Sequence, residues 1–169
     1  MIDVAFDKRM VIVHSVSGNV ITPHAHITGS GTEMRLWHTG TPNEHGSNYS
    51  AAGDHLGRIW SFEPAQNGVR IRNHLTKAMY LTVDDAKENT TLKMRTRQDH
   101  ERGQVWHLER ALPGLNDFLL VPSHDNGLAI GPMEGAHELE TVLILRPRTT
   151  LNQLWTAQAL CPARTADDL

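Results

Sequence analysis

The sequence predicts an all-β fold built from three similar units. A short motif ending in tryptophan recurs three times, as Gly57-Arg58-Ile59-Trp60, Gly103-Gln104-Val105-Trp106 and Asn152-Gln153-Leu154-Trp155. The tryptophans are 46 and then 49 residues apart. Short runs rich in β-branched residues alternate with turn residues, and no segment shows a helical stripe of apolar residues. Each unit can bury its apolar face only against its neighbours, so we expect a barrel with pseudo-threefold symmetry.

Length and composition indicate one globular domain over residues 1–169. The net charge of −3 gives no basic surface of the kind that nucleic acid or an anionic membrane attracts. No apolar run has the length of a membrane span or of a secretory signal. A single cysteine, Cys161, cannot form an internal disulfide, which suits a reducing compartment. We therefore predict a cytoplasmic protein without membrane insertion and without a nucleic-acid partner.

The first unit, residues 10–64, contains two tight turns and one long polar segment. Gly18 and Gly31 lie in the turns, and Pro23 is expected to end the second strand. The polar segment, residues 38–56, separates the third and fourth strands. The predicted strands are Met10–His14, Val20–Thr22, Glu33–Trp37 and Arg58–Glu63.

The second unit, residues 65–111, and the third, residues 112–160, repeat that order without a long insertion. Several of their strands alternate apolar and polar residues, as half-buried strands do. The predicted strands are Val69–Arg72, Met79–Val83, Thr91–Arg95, Gln104–Arg110, Phe118–Val121, Leu128–Ile130, Val142–Leu145 and Gln153–Leu160. Residues 161–169 are polar and are predicted to form a tail.

The tryptophan strands predict the core. In each of them the residue two positions after tryptophan is apolar, whereas the residue between is polar; the apolar residues are Phe62, Leu108 and Ala157. This period of two turns the three tryptophans inward. Gln104 and Gln153 are expected to hydrogen-bond neighbouring backbone, which is a structural role.

Gln-x-Trp at the end of each four-strand unit resembles the ricin-type (R-type) β-trefoil lectin family, over residues 10–160. Arg58 replaces the glutamine of the first copy. The segment from Ser30 to Trp37, a Gly-Thr turn followed by an apolar strand ending in an aromatic, is also similar to the family's pattern. The resemblance implies a β-trefoil, carbohydrate binding without catalysis, and no cofactor. In having neither a secretory signal nor disulfides, the sequence resembles the cytosolic trefoil lectins of fungi.

The resemblance also implies where a sugar binds. In galactose-binding members an Asp on the second strand of a repeat takes sugar hydroxyls, and an aromatic at the end of the third strand stacks on the sugar ring. The Asp position falls here on Thr22, Thr82 and Ala129, none of which is acidic, and this argues against galactose binding of the usual kind. The aromatic position falls on Trp37 in repeat one and near an arginine in the other two.

Repeat one is also the longest. From the apolar residue of the second strand to the closing tryptophan it spans 39 residues, against 25 in repeat two and 27 in repeat three, the last counted from Leu128. The excess lies in residues 38–56, so we expect a long loop beside Trp37. An aromatic side chain surrounded by hydroxyl, amide and imidazole groups suits a neutral, hydroxyl-rich ligand. In the alternative interpretation, Trp37 packs under its own loop as a satellite core.

The candidate carbohydrate-binding residues lie in repeats one and two. Those of repeat one are Trp37, Arg35, Thr22, His38, Asn48 and Tyr49. In repeat two, Asp84 and Asp85 are candidates that take the place of the missing Asp, and the alternative for them is a solvated turn.

Other chemical signals are weak. His24 and His26 are the one close histidine pair, and a metal site needs a third ligand that the sequence does not supply, so we expect no metal site. No base lies near Cys161, and no paired carboxylates, nucleophile elbow or phosphate-binding loop are visible. We therefore expect no catalytic residue and no enzymatic activity.

The prediction is a single-domain lectin whose partners are glycans or glycoconjugates. Homodimerisation is possible in principle, since a second site on a partner chain raises avidity. Two other functions stay open. One is a protease inhibitor that inserts an exposed loop, residues 38–56 or Asp84 to Asn89, into a protease cleft. The other is a protein-interaction or toxin-delivery subunit.

Overall fold

The computed structural model describes residues 6, 8–24, 29–37, 57–74, 76, 78–98, 102–111, 116–149 and 152–159. These residues contain twelve β-strands, together with 3₁₀ turns at Arg102–Gln104 and Met133–Gly135. The strands of repeat one are β1 (Met10–His14), β2 (Val20–Pro23), β3 (Met34–Trp37) and β4 (Trp60–Ala65). Those of repeat two are β5 (Gly68–Asn73), β6 (Met79–Val83), β7 (Leu92–Thr96) and β8 (Trp106–Arg110). Those of repeat three are β9 (Phe118–Pro122), β10 (Leu128–Pro132), β11 (Leu143–Pro147) and β12 (Trp155–Ala159).

Six strands close into a barrel. β1 pairs with β12, β12 with β9, β9 with β8, β8 with β5, β5 with β4, and β4 returns to β1, always antiparallel. The β1–β12 ladder, which joins repeats one and three, runs from Met10 opposite Ala159 to His14 opposite Trp155. The other six strands form one hairpin per repeat, β2–β3, β6–β7 and β10–β11. This is the β-trefoil arrangement that the repeat predicts.

The three hairpins also bond to one another in a ring. In each hairpin turn, a residue with positive φ donates its N–H to the next hairpin, and the following threonine accepts an N–H from the same partner residue. The turn residues are Gly31 (φ 91°), Asn89 (φ 66°) and Glu140 (φ 65°). Glycine and asparagine tolerate the left-handed region, whereas glutamate is strained there. The third turn therefore stores strain that the first does not.

Replacing Glu140 with glycine should stabilise the fold. The left-handed backbone costs a non-glycine residue about 1–2 kcal/mol, which exceeds the added chain entropy of glycine, so we expect a gain of about 0.5–1 kcal/mol. The free energy of unfolding in urea measures it. Glu138→Gly, in the same turn but outside the residues with positive φ, is the control and should destabilise the protein. Equal losses in both variants would contradict the strain.

The tryptophans of the repeat motif are buried and hydrogen-bonded, which confirms the predicted core. Trp60, Trp106 and Trp155 are each 0% exposed. Their indole N–H groups donate to second-strand carbonyls at 3.1, 3.0 and 3.1 Å; the acceptors are Ile21, Leu81 and Ile130. The same bond in each repeat ties a barrel strand to a hairpin and marks the structurally equivalent residues.

These bonds correct the sequence alignment of repeat three. Ile130 accepts the indole bond there, so the position that corresponds to Thr22 and Thr82 is the next residue, Gly131. The assignment of Ala129 to that position was wrong by two residues. The separation between acceptor and tryptophan is then 39 residues in repeat one and 25 in both other repeats. All of the extra length therefore belongs to repeat one.

In repeats two and three the glutamine of the motif joins the hairpin to the barrel through hydrogen bonds. Gln104 donates through Nε2 to the carbonyl of Thr96 at 2.8 Å, and its Oε1 accepts from the amide of Gln98 at 3.0 Å. Gln153 makes the same kind of contact with β10 and with the chain after β11. The expected structural role is confirmed. Arg58, which takes the glutamine position in repeat one, is also buried.

The second strand is one residue longer than the predicted Val20–Thr22, because Pro23 belongs to β2 as its last residue and lies opposite Met34. The amide of His24 donates to the carbonyl of Glu33 at 2.9 Å, so the next pair along the ladder, Pro23 with Met34, is a non-hydrogen-bonded pair. No N–H is required from Pro23 at that position, and the ladder therefore tolerates proline.

A histidine pair lies where repeats one and three meet. His14, the last residue of β1, is buried; its ring centroid is 5.3 Å from that of His137 and 5.1 Å from that of Trp155. Its Nδ1 lies 2.9 Å from Ser17 Oγ, and its Nε2 lies 3.3 Å from the carbonyl oxygen of Asn152. Burial lowers the pKa of His14 below its ordinary 6.5; the Asn152 carbonyl opposes this shift and His137 adds to it. The folded protein therefore disfavours the charged form of His14.

Acid should destabilise the protein through His14. The unfolded chain takes up a proton on this histidine from about pH 6.5 downward while the folded protein resists it, so the stability associated with neutral His14 is complete above pH 6.5 and is lost as the pH falls. The expected slope is at most about 1.4 kcal/mol per pH unit. Urea unfolding across this range measures it. His14→Gln should flatten the slope, whereas the same change at the exposed His124 should not; an unchanged slope in His14→Gln would refute the assignment.

Candidate functional site

The outer face of each hairpin presents three corresponding positions. The first position is the residue after the carbonyl that accepts the indole hydrogen bond. The second position is its cross-strand partner on the other strand of the hairpin. The third position lies two residues beyond the second on that same strand. In repeat one these residues are Thr22, Arg35 and Trp37. In repeat two they are Thr82, Lys93 and Arg95. In repeat three they are Gly131, Ile144 and Arg146.

Two buried polar atoms of repeat one are without a partner among the described residues. The first is Oγ1 of Thr22, a residue that is 2% exposed. The second is Nε of Arg35, whose Nη1 donates to the carbonyl of Glu140 at 2.8 Å and whose Nη2 donates to the Glu33 carboxylate at 3.3 Å. Buried polar atoms in proteins are almost always hydrogen-bonded. A hydroxyl and an N–H on adjacent strands therefore lack a hydrogen-bond partner within the described chain.

Trp37 completes this face. It is half-buried and lies opposite Val20, two residues beyond Arg35 on the same side of β3. The structure thus places together three of the residues that the sequence singles out in repeat one, Trp37, Arg35 and Thr22. The other three candidates are His38, Asn48 and Tyr49, which lie outside the described residues.

The corresponding face of repeat two is internally satisfied. Thr82 donates its hydroxyl to the carbonyl of Tyr80 at 2.9 Å and accepts from Gln104 Nε2 at 3.2 Å. Thr22 of repeat one receives no such bond within the described chain, where Arg58 takes the glutamine position. The exchange of glutamine for arginine in the first motif is the sequence signal for this difference.

Asp84 is held in an ion-pair cluster. Arg95 donates through Nε and Nη2 to its two carboxylate oxygens at 3.0 and 2.7 Å, and Lys93 donates to Oδ2 at 3.1 Å. The hydrogen bonds from Arg95 are the main cause that lowers the pKa of Asp84, and burial opposes them. Asp85, the second acidic candidate of this repeat, is exposed and lies 2.6 Å from Lys87 Nζ. The carboxylate of Asp84 is therefore already engaged by cations of its own repeat.

Repeat three has no room at the first position. A Cβ on Gly131 would lie 3.0 Å from Gln153 Cγ and 3.2 Å from the carbonyl oxygen of Asn152. The 3₁₀ turn at Met133–Gly135 lies close to the same segment, since a Cβ on Gly135 would be 2.9 Å from Asn152 Nδ2. The sequence did not predict this closure, because the wrong alignment of β10 placed Ala129 at the first position instead of Gly131.

A separate groove of about 1020 Å³ lies on the barrel wall, between the β4–β5 turn and β8. Val69, Trp106 and Leu108 line it together with Phe6, which is exposed. It does not include the hairpin positions described above. Within the described residues no three metal-ligating side chains come together, and no helix there is long and apolar enough to cross a membrane.

No protein-family model matches the sequence, and no curated protein matches it. Solved structures match it over nearly its whole length. The C-half of an earthworm R-type lectin, solved with GalNAc, has a TM-score of 0.64 at 13% identity and covers 90% of this chain and 99% of its own. A ricin B-like lectin of Macrolepiota procera, solved with lactose, has a TM-score of 0.67 at 16% identity and covers 94% and 99%. The chain has the fold of the R-type lectins.

A designed protein with threefold symmetry, ThreeFoil, shares this trefoil with a TM-score of 0.74 at 16% identity and covers 91% of this chain and all of its own. The likeness to a symmetric design supports the three-unit architecture that the repeated tryptophan motif predicts. At identities this low the comparisons establish the fold alone.

Placing a methyl group on Gly131 should destabilise the protein. The added Cβ meets the Gln153 side chain and the Asn152 backbone, and overpacking of this kind costs about 1–3 kcal/mol. Thermal unfolding of Gly131→Ala measures the loss. Gly29→Ala is the matched control, because its Cβ would meet nothing closer than 3.9 Å. If both variants unfold at the temperature of the parent protein, the first position of repeat three is open after all.

Proposed function

We propose that the protein is a lectin that reversibly binds a neutral, hydroxyl-rich saccharide on the outer face of the β2–β3 hairpin. The observation that carries this proposal is the pair of buried, unpartnered polar atoms, Thr22 Oγ1 and Arg35 Nε, beside the half-buried Trp37. A sugar hydroxyl both donates and accepts, so it suits a threonine hydroxyl and a guanidinium N–H at the same time.

The physical chemistry of the three side chains fits a sugar. The apolar side of a pyranose packs on the Trp37 ring while its hydroxyls take the polar atoms, and an orphaned buried polar atom costs about 1–3 kcal/mol until it finds a partner. Arg35 is held at both terminal nitrogens by Glu140 and Glu33, so little side-chain entropy is lost on binding. None of the three positions holds a carboxylate, and glycoside hydrolysis needs a pair of them, so the site suits binding rather than catalysis.

The comparisons support a carbohydrate ligand. The two lectins of the same fold were solved with GalNAc and with lactose. The Asp that galactose-binding relatives are expected to use has no counterpart at Thr22, Thr82 or Gly131. We therefore infer a saccharide held by a hydroxyl and a guanidinium, not by a carboxylate.

Substitutions at the face should weaken glycan binding while the trefoil stays folded. On a glycan array followed by calorimetry with the best neutral ligand, Trp37→Ala should weaken binding at least about tenfold through loss of stacking. Thr22→Val, which keeps shape and removes the hydroxyl, should weaken binding about tenfold. Thr82→Val is the matched control in repeat two, where the hydroxyl is bonded within the protein, and should leave the affinity unchanged.

Three results would count against the proposal: no binding to any neutral glycan, binding that is indifferent to Trp37→Ala, or equal losses in Thr22→Val and Thr82→Val. The same protein tested on panels of serine and cysteine proteases distinguishes a lectin from a trefoil inhibitor, because a lectin should inhibit none of them. A partner protein that co-purifies with the chain would favour an interaction subunit.

A further inference from the structure

Glu140, in the turn of the third hairpin, has a left-handed backbone that its side chain disfavours, with a φ of 65°. The corresponding residues of the other two turns are Gly31 and Asn89, which tolerate this conformation. All three turns make the same pair of backbone hydrogen bonds to the next hairpin. Glycine and asparagine make these bonds without the strain, so the backbone does not account for a glutamate at this turn.

The turn of Glu140 lies against the proposed sugar site of repeat one. The N–H of Glu140 donates to the carbonyl of Leu36 at 2.8 Å, and Leu36 is the residue between Arg35 and Trp37. The carbonyl of Glu140 accepts from Arg35 Nη1 at 2.8 Å. Both backbone polar groups of this repeat-three residue are therefore bonded to β3, the strand that carries Arg35 and Trp37.

The first hairpin turn shows the direction of the Glu140 side chain. A Cβ on Gly31 would lie 3.6 Å from Nη1 of Arg95, the residue at the third position of repeat two. Glu140 makes the corresponding backbone bonds and also has a positive φ, so its Cβ is directed toward the third position of repeat one, Trp37. Glu140 is exposed, which leaves its carboxylate at the rim of the Trp37 site.

The charge of Glu140 has no ion-pair partner among the described residues. In repeats two and three the third position is an arginine, whereas in repeat one it is Trp37. The glutamate thus occupies the turn at which no ion pair with the third position can form. Arg35, the cation of the site, already has the Glu33 carboxylate at 3.3 Å. Pairing with a cation therefore does not account for Glu140 either.

We propose that Glu140 is a specificity-determining residue of the repeat-one site and excludes saccharides that carry an anionic group beside Trp37. The proposal rests on the lectin function proposed above and gives a reason why the ligand is neutral. A carboxylate or sulfate on the sugar would meet the Glu140 carboxylate at short range, and like charges placed together weaken binding. A neutral ring meets no such penalty, and a penalty on the competitor is enough for specificity.

Three forms of the methyl pyranosides of glucose, galactose and mannose test the proposal by ligand-observed NMR. The first form has the natural hydroxymethyl group, the second a carboxamide in its place, and the third a carboxylate. The carboxamide keeps the shape of the carboxylate without its charge. The parent protein should bind the carboxylate form at least about fivefold more weakly than the carboxamide form. The difference should shrink between about 50 mM and about 500 mM NaCl, because salt screens exposed charges.

Variants assign this discrimination to Glu140. Glu140→Gln should bring the carboxylate and carboxamide forms to equal affinity and leave the affinity for the neutral forms unchanged. Glu140→Gly should have the same effect on binding and also stabilise the fold, which separates the role of the charge from that of the strain. Glu134→Gln is the matched control, because Glu134 is an exposed glutamate with a φ of 54° that follows β10 instead of bonding to β3. It should keep the discrimination of the parent.

Failure of this proposal is distinguishable from failure of the sugar site. The site would stand and the proposal would be overturned if the parent bound the carboxylate form as tightly as the carboxamide form. The same holds if Glu140→Gln kept the difference, or if Glu134→Gln removed it equally. Weaker binding of the neutral forms to Glu140→Gln would overturn it in favour of a hydrogen bond from a sugar hydroxyl to the carboxylate. No binding of any neutral form to the parent or to Glu140→Gln would overturn both proposals.

Discussion

A buried indole N–H has to find an acceptor, and this protein supplies the same acceptor three times. The bonds from Trp60, Trp106 and Trp155 each reach a carbonyl on the second strand of their own repeat. Each bond ties the core to a hairpin, and leaving such a group unbonded costs about 1–3 kcal/mol. The hairpin can slide along the barrel only by breaking this bond. The backbone positions on its outer face are therefore equivalent in all three repeats, whatever the side chains are.

That equivalence separates two layers of the molecule. Inward, the repeats are alike, with a tryptophan and aliphatic residues at matched positions. Outward, they have diverged in three directions. Repeat one exposes an aromatic ring beside polar atoms that lack partners in the described chain, repeat two fills the same positions with ion-paired cations, and repeat three closes them with its own chain at Gly131. One scaffold thus presents three chemically different surfaces.

The sequence predicted the inward layer well because that layer is periodic. The tryptophan motif, the alternation along strands and the turn residues identified twelve strands, the trefoil and its core to within a few residues. The alignment of β10 failed for a physical reason: a shift by one residue turns a strand over, but a shift by two keeps the same face inward, so Leu128 and Ile130 look equivalent. Only the indole bond distinguishes them. The ion pairs of Asp84 and the orphaned atoms of Thr22 and Arg35 depend on contacts between strands, for which local sequence has no period.

The ladder between β1 and β12 has a topological meaning. Met10 and Ala159 are cross-strand partners, so the start of the first barrel strand and the end of the last one are about one strand spacing apart. Chain connectivity contributes nothing to the barrel at this seam, which is held by the ladder and by the packing of His14 against His137 and Trp155. The order of the repeats along the chain is therefore arbitrary with respect to the closed ring. A circular permutant that joins these ends and opens in the exposed turn after β6 would preserve every ladder of the barrel.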